Sequence, residues 1–111
     1  EPAVAKVERT LEKDPFAAPA AHELKELGLK GKELAAAERA GRLLRLKDGI
    51  IVLPDAPHKA REHLARLDQP FTLSAARQAL GTTRRVAIPL LEYLDAHGIT
   101  RRGEGGTRTL R

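Results

Sequence analysis

The chain has 111 residues, with 20 Lys and Arg against 15 Asp and Glu for a formal net charge of +5, and its only aromatics are Phe16, Phe71 and Tyr93. It holds no cysteine, which excludes a disulfide scaffold, a thiol nucleophile and most structural zinc sites; no apolar run approaches the roughly 18 residues of a membrane span, and no charged-then-apolar leader marks a signal peptide. The length suits one ordinary domain or two very small ones, and the absence of an initiator methionine points to a fragment or a processed chain.

Val4, Val7 and Leu11 recur at i, i+3 and i+7 and predict an amphipathic helix. Asp14-Pro15-Phe16 then makes a turn, a short helix ends at Leu27-Gly28, and a further helix stops at Gly41. Two short strand candidates flank Asp48-Gly49, a strong hairpin signal. Leu53-Pro54-Asp55-Ala56-Pro57 reads as a joint, after which the order repeats. Ala60, Leu64 and Leu67 form the first apolar stripe, and Asp68-Gln69-Pro70-Phe71 the turn. The next two helices end at Leu80-Gly81 and Gly98, and a looser turn, Gly103-Glu104-Gly105-Gly106, separates the last two strand candidates. Two helices joined across a Gly-containing turn read as a helix-turn-helix, and the trailing hairpin is what a winged helix adds. The expected fold is mainly α with small β-hairpins: two tandem winged-helix domains over residues 1–55 and 56–111, each near the lower size limit for independent folding.

Charge is divided unevenly between these units. Residues 1–56 carry ten basic and ten acidic side chains, residues 57–111 ten basic and five acidic. The first stretch has six Lys and four Arg, the second one Lys and nine Arg. Arginine presents a planar donor fork suited to phosphate and base edges, so an Arg-weighted surplus points towards nucleic acid; an Arg- and Ala-favouring codon usage gives the same composition.

In the second unit Thr72 or Ser74 is placed to cap the helix running to Leu80, with Leu73, Ala76 and Leu80 facing the core. Thr82 or Thr83 is placed to cap the next helix through its hydroxyl. There Ala87, Leu90, Leu91 and Leu94 form the apolar stripe, and Arg84, Arg85, Ile88, Glu92 and Asp95 the opposite face. Two cations in the first turn oppose the helix dipole at a cost of ~0.3–1 kcal/mol each, and departures from local rules concentrate at functional sites. Arg84 and Arg85 are therefore read as meeting phosphates or base edges, and Glu92 and Asp95 as repelling phosphate, so that only the N-terminal end of this helix touches nucleic acid. Pro89 removes one helical hydrogen bond and predicts a kink near Arg85, either tilting the arginines outward or simply tolerated in a buried helix. The last hairpin adds Arg101, Arg102, Arg108 and Arg111; strand alternation places Arg101 and Arg102 on opposite faces, so one of the two joins a given surface. Val86 follows the two arginines.

Catalytic chemistry has little support. His22, His58, His63 and His97 are scattered, and His58 with Glu62 at i, i+4 is a weak metal signal. His97, in a last helical turn before Gly98, suits a structural role at the dipole's negative end. Gly31-Lys32 lacks the upstream glycine and following Ser or Thr of a phosphate-binding loop.

The run Leu80-Gly81-Thr82-Thr83-Arg84-Arg85-Val86-Ala87-Ile88-Pro89-Leu90-Leu91-Glu92-Tyr93, followed by Gly98-Ile99-Thr100-Arg101-Arg102, resembles the C-terminal winged helix of the bacterial selenocysteine-specific elongation factor SelB. The resemblance covers residues 70–111 well and the first unit in pattern alone. It implies binding of the SECIS element, the mRNA hairpin that recodes an in-frame stop codon as selenocysteine, through Arg77, Thr83, Arg84, Arg85, Arg101, Arg102 and Arg108. It implies a cytoplasmic translation factor whose GTP-binding part, absent here, carries selenocysteinyl-tRNA to the ribosome; this part itself would hold no catalytic site, cofactor or metal, would be monomeric and would meet no membrane. In this pattern Val86 replaces a frequent Tyr, which leaves a stacking role there open. The net-neutral first unit would be a spacer or docking domain. Hairpin RNA is read by shape, backbone and splayed loop bases. The rival reading is a DNA-binding transcriptional regulator with the Arg84 helix in a major groove.

Overall fold

The computed structural model describes residues 2–111. The chain divides into two compact units, the first ending at Ala56 and the second starting at Pro57. Each contains three helices followed by a two-stranded antiparallel hairpin.

In the first unit α1 (Pro2–Lys13) buries Val4, Val7 and Leu11, the three positions its periodicity assigns to the core. They pack with Leu24 of α2 (Ala21–Glu26), Ala37 of α3 (Gly31–Arg39), and Leu29, Leu43 and Ile51. The N-termini of α2 and α3 are closed by their own acids. Glu23 Oε1 accepts from the Ala20 amide at 2.8 Å, and Glu33 Oε1 from the Lys30 amide at 3.0 Å. Both carboxylates sit where the helix dipole is positive. Glu8 and Arg42 form a two-pronged ion pair of 2.6 and 3.3 Å that ties α1 to the chain entering the hairpin. That bond holds the Glu8 carboxyl below its usual range.

The hairpin pairs β1 (Leu44–Arg45) with β2 (Ile51–Val52), Leu44 opposite Val52 and Arg45 opposite Ile51. Asp48 and Gly49 take the left-handed backbone, with φ 64° and 74°, which is the conformation an Asp-Gly turn supplies.

In the second unit α4 (Ala56–Leu64) buries Ala60 and Leu64, while Leu67 lies beyond the helix end and is half-buried. The helix-turn-helix is α5 (Leu73–Leu80) and α6 (Arg84–Ala96). Gly81 joins them at φ 63° and completes a left-handed cap in which the Thr82 amide donates to the Arg77 carbonyl at 3.2 Å; only a residue without Cβ does this without strain. Gly28, Gly41 and Gly98 close their helices with the same hand. α6 is the central element, with Val86, Ala87, Pro89, Leu90, Leu91 and Leu94 all buried. The helix runs through Pro89 to Ala96.

The second hairpin pairs β3 (Thr100–Arg102) with β4 (Arg108–Leu110). Thr100 faces Leu110, Arg101 faces Thr109 and Arg102 faces Arg108. Its turn is the same as the first, not looser: Gly105 and Gly106 adopt φ 65° and 76°, where Asp48 and Gly49 adopt 64° and 74°. Pattern reading missed one further pairing. Phe71 exchanges both backbone hydrogen bonds with Arg108, at 2.8 and 2.9 Å, adding a third short strand beside β4. The Gln69 side chain supports this edge, donating to the Leu64 and Leu67 carbonyls and accepting from the Leu110 amide. The hairpin is thereby joined to the chain segment that leads into α5.

Candidate nucleic-acid interface

Within the second unit, α5, the start of α6 and the hairpin enclose an open groove of about 1080 Å³. Arg77 reaches it from α5, Arg84 and Arg85 from the first turn of α6, and Arg102 from β3. Gly105 and Gly106 form the hairpin side, and Thr72, Ser74 and Thr83 add hydroxyls. Leu73, expected in the core, is half-exposed on this wall instead, and Ile88 is half-buried along α6. Arg84, Arg85 and Arg102 are exposed, whereas Arg77 is half-buried.

The start of α6 has no carboxylate of its own. Its first turn contains no acid, in contrast to α2 and α3. Thr83 occupies the N-cap position with an extended backbone, yet its hydroxyl makes no capping bond. Thr72 does cap: its hydroxyl accepts from the Ala75 amide at 3.1 Å. Of the capping candidates, Thr72 and Thr83 therefore differ. Thr72 completes α5, while Thr83 leaves the amino end of α6, with its partial positive charge, facing the groove beside Arg84 and Arg85. The combination of a helix amino end and guanidinium groups suits an anion with several acceptor oxygens.

The three arginines within the hairpin strands, Arg101, Arg102 and Arg108, do not act as one set. Arg102 lines the groove and Arg101, one step along the strand, does not, as strand alternation requires. Arg108 departs from the expected exposed cation. It is 7% exposed, and its guanidinium grips Asp95 through Nε at 3.1 and 3.2 Å and through Nη2 at 3.0 Å. Asp95 also accepts from the hydroxyl of buried Thr100. Asp95 is thus an internal partner of the hairpin, not the phosphate-repelling charge that its place on α6 suggested. Glu92 does line the groove.

Burial decides the surroundings of Val86 and Tyr93. Val86 is 2% exposed and faces the interior, so no stacking on an incoming base occurs there. Tyr93 is half-buried and stacks on His97 with ring centroids 3.9 Å apart. His97 Nδ1 lies 2.9 Å from the Tyr93 carbonyl, at the end of α6, in the structural position expected for it. Among the described residues no group of His, Cys, Asp and Glu is arranged to hold a metal ion, and no helix is long and apolar enough to cross a membrane.

Comparison with known proteins bears on this same region. Residues 62–110 match the family model described as elongation factor SelB, winged helix. The structure of a bacterial selenocysteine-specific elongation factor, EF-Sec, is similar over 100% of this chain at 27% identity and a TM-score of 0.78; the chain covers 18% of that protein. The mRNA-binding domain of elongation factor SelB from E. coli, solved in complex with SECIS RNA, is similar in fold over 98% of this chain and 97% of that one, at 24% identity and a TM-score of 0.69. No curated protein matches the chain. The matched segment contains α5, α6, both strands of the hairpin and every side chain of the groove, and the second unit is therefore similar to the winged helix of elongation factor SelB.

Proposed function

We propose that this chain binds the mRNA stem-loop that directs selenocysteine insertion, as part of a selenocysteine-specific elongation factor, and that the groove of the second unit is the contact. The observation that carries the reading is the convergence of Arg77, Arg84, Arg85 and Arg102 from two helices and a hairpin on one concave face beside the start of α6. The solved complex of the E. coli SelB domain with SECIS RNA, a fold shared by this chain, supports the choice of ligand.

The groove suits a curved phosphate backbone with a few splayed bases. It carries no exposed aromatic on which a run of single-stranded bases would stack. Glu92, on the groove wall beyond Ile88, opposes burial of the full length of α6 in a DNA major groove. The first unit is proposed to be a spacer or docking domain: its charges balance, and the amino ends of α2 and α3 are occupied by Glu23 and Glu33. On this reading the chain acts as a cytoplasmic monomer that uses no cofactor. GTP, selenocysteinyl-tRNA and the ribosome are partners of other parts of the elongation factor.

Titration with a selenocysteine-insertion hairpin, a scrambled hairpin and duplex DNA at two salt concentrations tests the proposal. Tighter binding to the first, weakening with salt, is expected; equal binding to all three would refute it.

A further inference from the structure

Arg102 and Arg108 stand directly opposite each other on β3 and β4. Like charges at such positions repel and destabilise a strand pair; both residues line the groove, yet only Arg102 is exposed, and Arg108 is 7% exposed. Arg108 is withdrawn against Asp95, which holds it with both carboxylate oxygens while taking a third bond from Thr100. One carboxylate on the last turns of α6 is therefore bonded to side chains from both strands of the hairpin. The backbone of Arg108 is in turn bridged to Phe71, next to Thr72, the residue that caps α5. Both walls of the groove meet at this one ion pair.

We propose that Asp95 is a positioning residue for RNA binding, a brace that fixes the hairpin against α6, and that Arg108 contributes through this brace and not by contacting phosphate. The inference rests on the RNA-binding reading above and assigns roles within the same site. Its distinctive consequence is one of sign. Coulombic reasoning treats Asp95 as an acid near a polyanion, so its neutralisation should tighten binding. The brace requires the opposite. Without the carboxylate, Arg108 and Arg102 repel each other across the strand pair, the hairpin loses its register against α6, and Arg102, Gly105 and Gly106 move off the line set by Arg84 and Arg85.

The test uses the 111-residue chain with Asp95→Asn and Thr100→Val, measuring hairpin affinity by fluorescence anisotropy and backbone amide signals of the free protein by two-dimensional NMR. Asp95→Asn adds one unit of positive charge and is expected to weaken binding by about tenfold, as for loss of a charge-assisted bond. Thr100→Val leaves the charge unchanged and should shift affinity in the same direction by less. In the free protein the Gly105 and Gly106 amide signals should move in both variants, while those of Ala76 and Leu80 on α5 stay in place. Should Asp95→Asn fail to fold, Thr100→Val carries both measurements. Unchanged or tighter hairpin binding by a folded Asp95→Asn, or hairpin glycine signals that do not move, would overturn the brace. If the unaltered chain does not bind the hairpin, the RNA-binding reading fails by itself, and the glycine signals still decide whether Asp95 positions the hairpin.

Discussion

Replacing Arg84 by Ala removes one of four exposed or half-exposed guanidinium groups that line the groove. Its effects on binding and on folding should have opposite signs. If Arg77, Arg84, Arg85 and Arg102 each neutralise one phosphate, the slope of log affinity against log salt is about −3.6, and affinity falls ~150-fold between about 50 and 200 mM salt. Without Arg84 the slope becomes about −2.7 and the same salt step costs only ~40-fold. Folding should gain, because Arg84 is a cation in the first turn of α6, where the dipole is unfavourable to it by ~0.3–1 kcal/mol. Alanine is also the better helix former. The assay is hairpin titration by fluorescence anisotropy at four or more salt concentrations, paired with chemical denaturation of both proteins. A slope unchanged by the substitution would show that Arg84 touches no phosphate. A loss of stability would show that Arg84 supports the fold, and would refute the trade-off on which the argument rests.

Thr72→Ala should destabilise the second unit by ~0.5–2 kcal/mol through loss of a real cap, whereas Thr83→Ala should leave denaturation unchanged and weaken hairpin binding; equal destabilisation by both would contradict the different roles given to the two hydroxyls. Leu91→Ala, at a fully buried position of α6, should cost ~2–5 kcal/mol in denaturation experiments, and a cost under about 1 kcal/mol would place α6 outside the core. Arg42 lowers the pKa of Glu8 in the folded state, so this pair adds stability above the unfolded-state value near 4.5 that disappears as pH falls through the folded-state value. Because the two side chains are 34% and 26% exposed, the gain is expected to stay under ~1 kcal/mol. Glu8→Gln should accordingly be less stable than the unaltered chain at neutral pH and equal to it in strong acid; a difference that persists in acid would assign the effect to packing. Arg102→Ala should weaken hairpin binding several-fold more than Arg101→Ala, since the first side chain lines the groove and the second does not; equal losses would place the RNA across both faces of the hairpin.

Local rules made a large part of this protein legible. The spacing of Val4, Val7 and Leu11, and of Ala87, Leu90, Leu91 and Leu94, named buried positions because a helix repeats every 3.6 residues whatever it packs against. Gly28, Gly41, Gly81 and Gly98 marked the helix ends because a left-handed cap is a property of one residue and its neighbours. Asp48-Gly49 announced its hairpin for the same reason. Arg84 and Arg85 stood out because the dipole they oppose belongs to their own helix, and strand alternation separated Arg101 from Arg102 before any surface was known.

Tertiary structure decided what depends on residues distant in sequence. Alternation says that two arginines point to opposite faces but not which face is the groove, and cross-strand register alone set Arg102 opposite Arg108. Asp95 and Arg108 lie 13 residues apart; nothing in either segment shows that one acid and one base would satisfy each other, so both were read as surface charges. The Phe71–Arg108 bridge escaped notice because a strand one residue long has no period. Thr72 and Thr83 look equivalent as N-cap residues, and only the side-chain geometry at each helix start shows that the Thr72 hydroxyl caps and the Thr83 hydroxyl does not. Periodicity and capping are short-range and survive in one dimension, whereas charge pairing and the assembly of a groove are made by chain closure and exist only in three.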